Sequence, residues 1–307
     1  MRVRVLGSAA GGGFPQWNCG CYNCRGVRQG TLQASPRTQE SLAFSADGES
    51  WFLLNASPEI RGQIESFAPL HPRGPRDCPI AGILLTNGDL DHCLGLLSLR
   101  ESQRLSVYAT ERVRAGFVEG NALYATLQRF PGQVTWTGLA PGVARELSLP
   151  DGKPSGLTLR PIAVPGQPPL HLRFKFSEPH PEDNVGFIIQ AAAGGATFAY
   201  VPGCARVTPE LADAVSGADC LFFDGTFWSS DELIALGLGT RRAEDMAHLP
   251  IGGSGGSLAA FAARPRGQRF FIHINNTNPI LREDSRERGE VQAAGWQVAH
   301  DGLELTL

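Results

Sequence analysis

The sequence predicts an α/β protein built as two β-sheets covered by helices, an αββα sandwich. Two observations lead there. Apolar or alternating runs of strand length recur along the whole chain, and helical patterns are interposed among them. Periodicity alone leaves other α/β layouts open. The 307 residues, 42% of them hydrophobic, suffice for one large core or two modest ones. No linker, internal repeat or low-complexity tract divides the chain, so we read 1–307 as a single domain.

The strands begin with the alternating Arg2–Leu6. Ser41–Phe44 and Trp51–Leu54 flank Asp47-Gly48, the turn pair of a hairpin. Ile83–Leu85, Leu105–Tyr108, Leu157–Val164, Val185–Gln190, Phe198–Val201, Cys220–Phe223 and Phe270–Ile274 follow, and Trp296–Leu307 closes the series around Asp301-Gly302. Helical patterns cover Leu94–Ser102, Glu111–Val118 and Asn121–Phe130. Pro209–Val215 starts after Thr208, an N-cap with Glu210 in the first turn. Ser257–Arg264 ends before Pro265, and Asp284–Ala294 stops at Gly295.

Composition removes several function classes. The chain has 27 basic and 30 acidic residues, a net charge of −3 and a pI near 6.2, which argues against a dedicated nucleic-acid binder. Its apolar content is too high for disorder, and no apolar run reaches the roughly 18 residues of a membrane span. Charges interrupt the apolar start Met1–Ser8, so a signal peptide is not expected and a soluble cytoplasmic protein is. The seven cysteines are an odd number, and Cys19, Cys21 and Cys24 fall within six residues. Clustered thiols in a reducing compartment point to metal rather than disulfides.

Three constellations can carry chemistry. In Cys19-Gly20-Cys21-Tyr22-Asn23-Cys24, a glycine-containing turn lets three thiolates converge on one Zn2+, a closed structural site once a histidine or amide oxygen supplies the fourth ligand. Leu84–Leu96 runs from an apolar strand through Asn87, Asp89, Asp91 and His92 into a helical pattern, where carboxylates and a neutral imidazole suit a divalent metal, including the two-histidine-one-carboxylate arrangement of Fe2+. The same residues also fit a turn that uses Asn, Gly and Asp for backbone reasons, with Asp91 capping the helix. The third constellation is histidines near strand ends: His180 before Val185–Gln190, and His273 ahead of Asn275-Asn276-Thr277-Asn278-Pro279. His248 belongs to a glycine-rich loop able to approach a substrate, without the lysine of a phosphate-binding loop. His71, His171 and His300 have no polar cluster. A serine hydrolase is rejected, because no G-x-S-x-G follows a strand.

Taken together these segments resemble the metallo-β-lactamase superfamily, and more narrowly its family of B proteins of pyrroloquinoline quinone (PQQ) biosynthesis. The likeness is carried by Gly7–Gly13, Gln16-Trp17-Asn18-Cys19-Gly20-Cys21, Asn87-Gly88-Asp89-Leu90-Asp91-His92, Asp224-Gly225-Thr226-Phe227-Trp228, His248-Leu249-Pro250-Ile251 and His273–Pro279. The superfamily's metal loop reads H-x-H-x-D-H. Here its first two histidines are Asn87 and Asp89, while Asp91 and His92 remain. Its next histidine ligand matches His180 and its last His273. The bridging aspartate of two-metal members falls near Tyr200–Cys204, where no carboxylate exists.

Such losses leave at most one well-held ion in an oxygen-rich set, which shifts preference from Zn2+ toward Fe2+ or Mn2+. The resemblance implies an Fe2+-dependent oxygenase that hydroxylates the tyrosine ring of a Glu–Tyr-derived PQQ precursor. On it, His92 and His273 are imidazole ligands, Asp89 or Asp91 the carboxylate and His180 a third imidazole. Asn87 hydrogen-bonds metal-bound water, and Trp228 walls an aromatic pocket or simply belongs to the core. The cysteine cluster matches an accessory zinc site of some relatives, completed there by a histidine at the position of Asn276. Those relatives place it near a subunit contact, so a homodimer is expected, with PQQ, its precursor or other PQQ biosynthesis proteins as partners and no nucleic acid or membrane insertion. The alternatives are a carrier moving PQQ or its precursor toward the periplasm and a metal-dependent hydrolase of esters or phosphodiesters.

Overall fold

The computed structural model describes residues 1–263 and 267–307, so Arg264 and Pro265 of the expected helix end lie outside the described residues. The first strands are β1 (Arg2–Gly7), β2 (Ser41–Ser45), β3 (Trp51–Leu54), β4 (Ile80–Leu84), β5 (Leu105–Thr110), β6 (Val134–Leu139) and β7 (Arg145–Ser148). They are followed by β8 (Pro154–Ala163), β9 (Val185–Ala191), β10 (Thr197–Val201), β11 (Cys220–Asp224), β12 (Gln268–Ile272), β13 (Gln297–Val298) and β14 (Glu304–Thr306). Among the described residues they form two seven-stranded sheets, ordered β14-β1-β2-β3-β4-β5-β6 and β13-β12-β11-β10-β9-β8-β7.

Three buried clusters define the layers of this α/β sandwich. Between the sheets lie Phe44, Phe52, Leu84, Phe187, Phe198, Phe222 and Phe270, drawn from both. Behind the first sheet, Trp51, Leu53 and Ile83 pack on helix residues such as Leu96, Val113 and Phe117. Behind the second, Leu221, Phe223 and Phe271 pack on Leu211, Val215 and Val291. Alternate residues of one strand therefore face opposite cores, and this explains why β3, β4 and β11 read as unbroken apolar runs. Fully burying one such phenylalanine stabilises the fold by about 1.5–3 kcal/mol. Among the described residues no helix is long and apolar enough to cross a membrane.

The expected elements differ from the structure mainly where packing outweighs local pattern. The Leu94–Ser102 helix is two short helices, Leu90–Cys93 and Gly95–Ser98, beginning earlier with Asp89 at the N-cap. A Cβ on Gly95 would lie 2.2 Å from the Ser57 carbonyl oxygen, so the chain passes too close there for any larger residue. Asn121–Phe130 is a 3-10 turn, Ala122–Leu127. The closing strand splits into β13 and β14, one in each sheet. The half-exposed β6 and the mostly exposed β7 carry weak alternation, the helices Tyr22–Gln29 and Ile60–Glu65 are short and poor in apolar residues, and none of the four was expected.

β3, β4, β5 and β6 run parallel, as do β10, β11, β12 and β13. The C-terminal ends of parallel strands are where open α/β sheets place ligands.

Candidate metal centre

The polar residues of the centre stand just past those strand ends. Asn55 follows β3, Thr86 and Asn87 follow β4, Thr226 follows β11, and His273 follows β12 directly. Two of the turns are tight enough to force non-glycine residues into the left-handed region, Asn55 at φ 61° and His273 at φ 57°, each at a cost on the order of 1–3 kcal/mol. Apolar strands behind them hold the strain in place.

Asp91, His92 and His273 each direct one ligand atom into a common space, with all three atoms within 4.8 Å of one another. His273 Nε2 lies 3.2 Å and His92 Nε2 3.7 Å from Asp91 Oδ2. Burial opposes ionisation of Asp91, but the neighbouring His92 and His273 outweigh it and hold the carboxyl far below its ordinary range. Burial pulls His92 down to about 4, so its imidazole is neutral and its lone pair is available.

Both imidazoles meet a threonine hydroxyl at Nδ1 through parallel devices. The Thr226 backbone N–H and hydroxyl both donate to Asp224 Oδ1, at 3.0 and 2.6 Å, leaving Thr226 Oγ1 to accept from His273 Nδ1 at 2.8 Å. On the other sheet, the Thr86 backbone N–H and hydroxyl donate to Asn55 Oδ1, at 3.0 and 3.1 Å, and His92 Nδ1 lies 2.9 Å from Thr86 Oγ1 and 3.1 Å from Asn55 Nδ2. Asn55 Nδ2 in turn donates to the fully buried Glu40 at 3.0 Å. A metal bound at Nε2 of each ring would leave the proton on Nδ1, where the two threonine oxygens stand. Two imidazoles and a carboxylate in this arrangement suit a divalent metal with open positions.

Asp224, His248 and His273 form a second close group. Asp224 is fully buried and accepts from Cys204 N and His248 Nδ1 at Oδ2, both at 2.8 Å, besides Thr226 at Oδ1. Its lone pairs are committed to donors, so it orients His248 rather than binding metal. Burial disfavours the charged His248 ring, yet Asp224 beside it raises its pKa overall.

The cysteine cluster gathers as expected. Cys19, Cys21 and Cys24 stand within 4.8 Å of one another, with Cys21 capping the helix Tyr22–Gln29. The Asn276 side-chain amide closes the group, its Nδ2 lying 3.1, 3.7 and 3.3 Å from the three sulfurs in that order. Burial pushes the Cys24 thiol up to about 12, a cost that a bound cation would relieve.

Comparison with known proteins bears on this arrangement. The beta-lactamase superfamily domain model matches residues 50–274. Over the full length of both chains, the sequence is 45% identical to coenzyme PQQ synthesis protein B of Azotobacter vinelandii and 48% identical to that of Methylobacterium nodulans. The chain belongs to the coenzyme PQQ synthesis protein B family. A crystal structure of Zn2+-bound PqqB from Methylobacterium extorquens superposes with a TM-score of 0.91 at 46% identity, covering 100% of both chains. A diphosphatase of the PhnP family, at 21% identity and a TM-score of 0.66, shares the fold.

Within this PqqB-family chain, the structure sorts the expected site residues. Asp91, His92 and His273 come together. Asp89 lines the same cleft outside the triad, and burial together with the Asp91 charge raises its carboxyl to about 7. His180 is not in the cleft. It is exposed, and its Nδ1 accepts from Glu182 N at 3.2 Å in a turn closed by Asp183, which Arg112 pins at 2.8 Å. The cleft wall comes instead from Pro165–Gln167, directly after β8. Asn87 accepts from Asp89 N at 3.0 Å and donates to Asn184 Oδ1 at 3.3 Å, so it braces the loop. Trp228 faces a different pocket, beside Tyr22 and Glu232, and its neighbour Phe227 lines the cleft.

Glu40, Asn55, Thr86, Asp224 and Thr226 escaped the sequence reading as site residues. Their signal is modest: a lone acid before the buried strand β2, and polar residues ending the apolar strands β3, β4 and β11. Burial drives the Glu40 carboxyl well above its ordinary range, although Asn55 hydrogen-bonds it.

Proposed function

We propose that the protein acts in PQQ biosynthesis as a metal-dependent oxygenase, with Fe2+ as the working ion, that hydroxylates the tyrosine ring of a Glu–Tyr-derived PQQ precursor. The observation that carries this reading is the single set Asp91, His92 and His273, two imidazoles and one carboxylate whose ligand atoms converge. Asp91, His92 and His273 would hold the ion, and Fe2+ there would supply dioxygen activation. The second site of two-metal relatives lacks its ligands, since Asn87 braces a loop, Gly203 has no side chain and Asp224 is spent on hydrogen bonds.

The chain's own groups then have distinct tasks. Thr86 and Thr226 hold the two imidazoles in the ligating tautomer. His248, fixed through Nδ1 by Asp224, holds or moves a proton at Nε2 beside the reacting ring. Phe227, Leu170 and the Pro165–Pro169 segment give the cleft an apolar wall for an aromatic ring. Hydroxylation places one oxygen of dioxygen in a ring C–H bond and releases the other as water, which requires two electrons and two protons from a reductant.

The same reading carries structural zinc at Cys19, Cys21 and Cys24, a cytoplasmic location and a homodimer formed near the cysteine loop, where Tyr22 and Trp17 are exposed. The test is anaerobic reconstitution with Fe2+, followed by oxygen, a reductant and a Glu–Tyr dipeptide, with mass spectrometry for a product heavier by one oxygen atom. Cleaved product without oxygen indicates a hydrolase, and tight binding with no product indicates a carrier.

A further inference from the structure

The cleft beside the triad has a volume of about 270 Å3, room for a small molecule rather than a polypeptide fold. Its lining carries two guanidinium groups, Arg173 and Arg241, and no lysine. They come from distant segments, Arg173 capping the turn Leu170–Leu172 and Arg241 lying beyond the helix Glu232–Ala235. Neither forms an ion pair with a carboxylate among the described residues, unlike Arg112, Arg114 and Arg286 elsewhere on the surface.

Arg173 is also held in place. Its Nη2 donates to Gln167 Oε1 at 2.6 Å, Asn184 Nδ2 donates to the Gln167 carbonyl at 2.9 Å, and Asn87 Nδ2 donates to Asn184 Oδ1 at 3.3 Å. This chain of amides runs from the metal loop to the guanidinium. Arg241 makes no side-chain hydrogen bond among the described residues, so its donors face the cleft uncommitted. Unpaired guanidinium groups in a cleft match planar carboxylates, which they bind in a bidentate manner.

We propose that Arg173 and Arg241 are a carboxylate-recognition pair, and that the substrate is a small molecule bearing at least two carboxylates in addition to the group offered to the metal centre. This rests on the reading of the cleft as a substrate site and adds the substrate's charge. A glutamyl-tyrosine unit, with its side-chain and terminal carboxylates, satisfies it. The pair also explains how an anionic substrate enters a cleft that already holds Asp89 and Asp91: the two guanidiniums offset their charge.

The test uses zinc-loaded protein under anaerobic conditions, where binding is read without turnover, by calorimetric titration with glutarate, L-glutamyl-L-tyrosine, the same dipeptide with its carboxyls amidated, and inorganic phosphate. Arg173→Gln and Arg241→Gln should each weaken glutarate and dipeptide binding by about tenfold, with unchanged melting temperatures. Amidation should weaken the dipeptide similarly, and phosphate should not displace glutarate. Wild-type affinity in the double variant, equal binding of the amidated dipeptide, or displacement by phosphate at equal concentration would overturn the pair. Arginine-dependent binding of glutarate without binding of the dipeptide would keep the pair and reject the Glu–Tyr substrate.

Discussion

The Thr226 hydroxyl accepts a hydrogen bond from His273 Nδ1 at 2.8 Å while donating to Asp224 at 2.6 Å. This contact sets which nitrogen of His273 is left bare. Thr226→Val keeps the volume and removes the acceptor, so divalent-metal affinity should fall about 10–100-fold with the fold intact, and Thr226→Ser should restore it. Calorimetric titration of Fe2+ or Zn2+ into the apo-protein checks this, and equal affinities in all three proteins would defeat it.

His273 and His180 separate by location. His273→Ala should abolish tight active-site metal binding and turnover of the dipeptide, because it removes one of three donors. His180→Ala should leave both unchanged, since that ring is exposed outside the cleft. Metal content and product yield measured together are decisive, and a loss in His180→Ala would return it to the site.

The cysteine loop provides its own measurement. Cys24→Ser should leave the protein with about one equivalent less zinc and a clearly lower melting temperature, since a closed zinc site contributes folding energy directly. Asn276→Ala should weaken zinc retention less, as it removes N–H groups that donate to the three sulfurs rather than a thiolate. Metal analysis after dialysis against a chelator distinguishes these outcomes from an unmetallated thiol cluster.

Glu232 gives stability a pH dependence of defined sign. Burial raises its carboxyl from 4.5 to about 7 in the folded state, while Trp228 N–H and the Thr277 hydroxyl donate to it. A raised acid favours the folded state fully below the unfolded pKa, and that contribution is lost as pH rises through about 7. Across that window the wild type should lose up to ~3 kcal/mol relative to Glu232→Gln. Denaturant unfolding of both proteins from pH 4 upward reads the difference; parallel curves would show that Glu232 titrates normally.

The paired-sheet architecture was legible because β3, β4 and β11 are buried on both faces and therefore read as unbroken apolar runs, whereas β6 and β7 are more exposed and too weakly patterned to be recognised. Asp91, His92 and His273 were legible because polar residues at the end of apolar strands stand out. His180 misled for the same reason: a histidine ahead of a strand has the same local appearance whether its turn faces the cleft or solvent.

By itself the sequence determined the sandwich of sheets, the cysteine cluster and the metal-loop residues, since each is a local pattern of hydrophobicity or donor chemistry. Tertiary structure decided which donors share a space. Asp91 rather than Asp89 joins His92 and His273, Thr86 and Thr226 meet the two imidazoles at Nδ1, Asp224 is withdrawn from ligation, and Arg173 and Arg241 line one cleft. Those outcomes depend on the directions of side chains brought together from strands of two different sheets, and a linear sequence does not encode such directions locally.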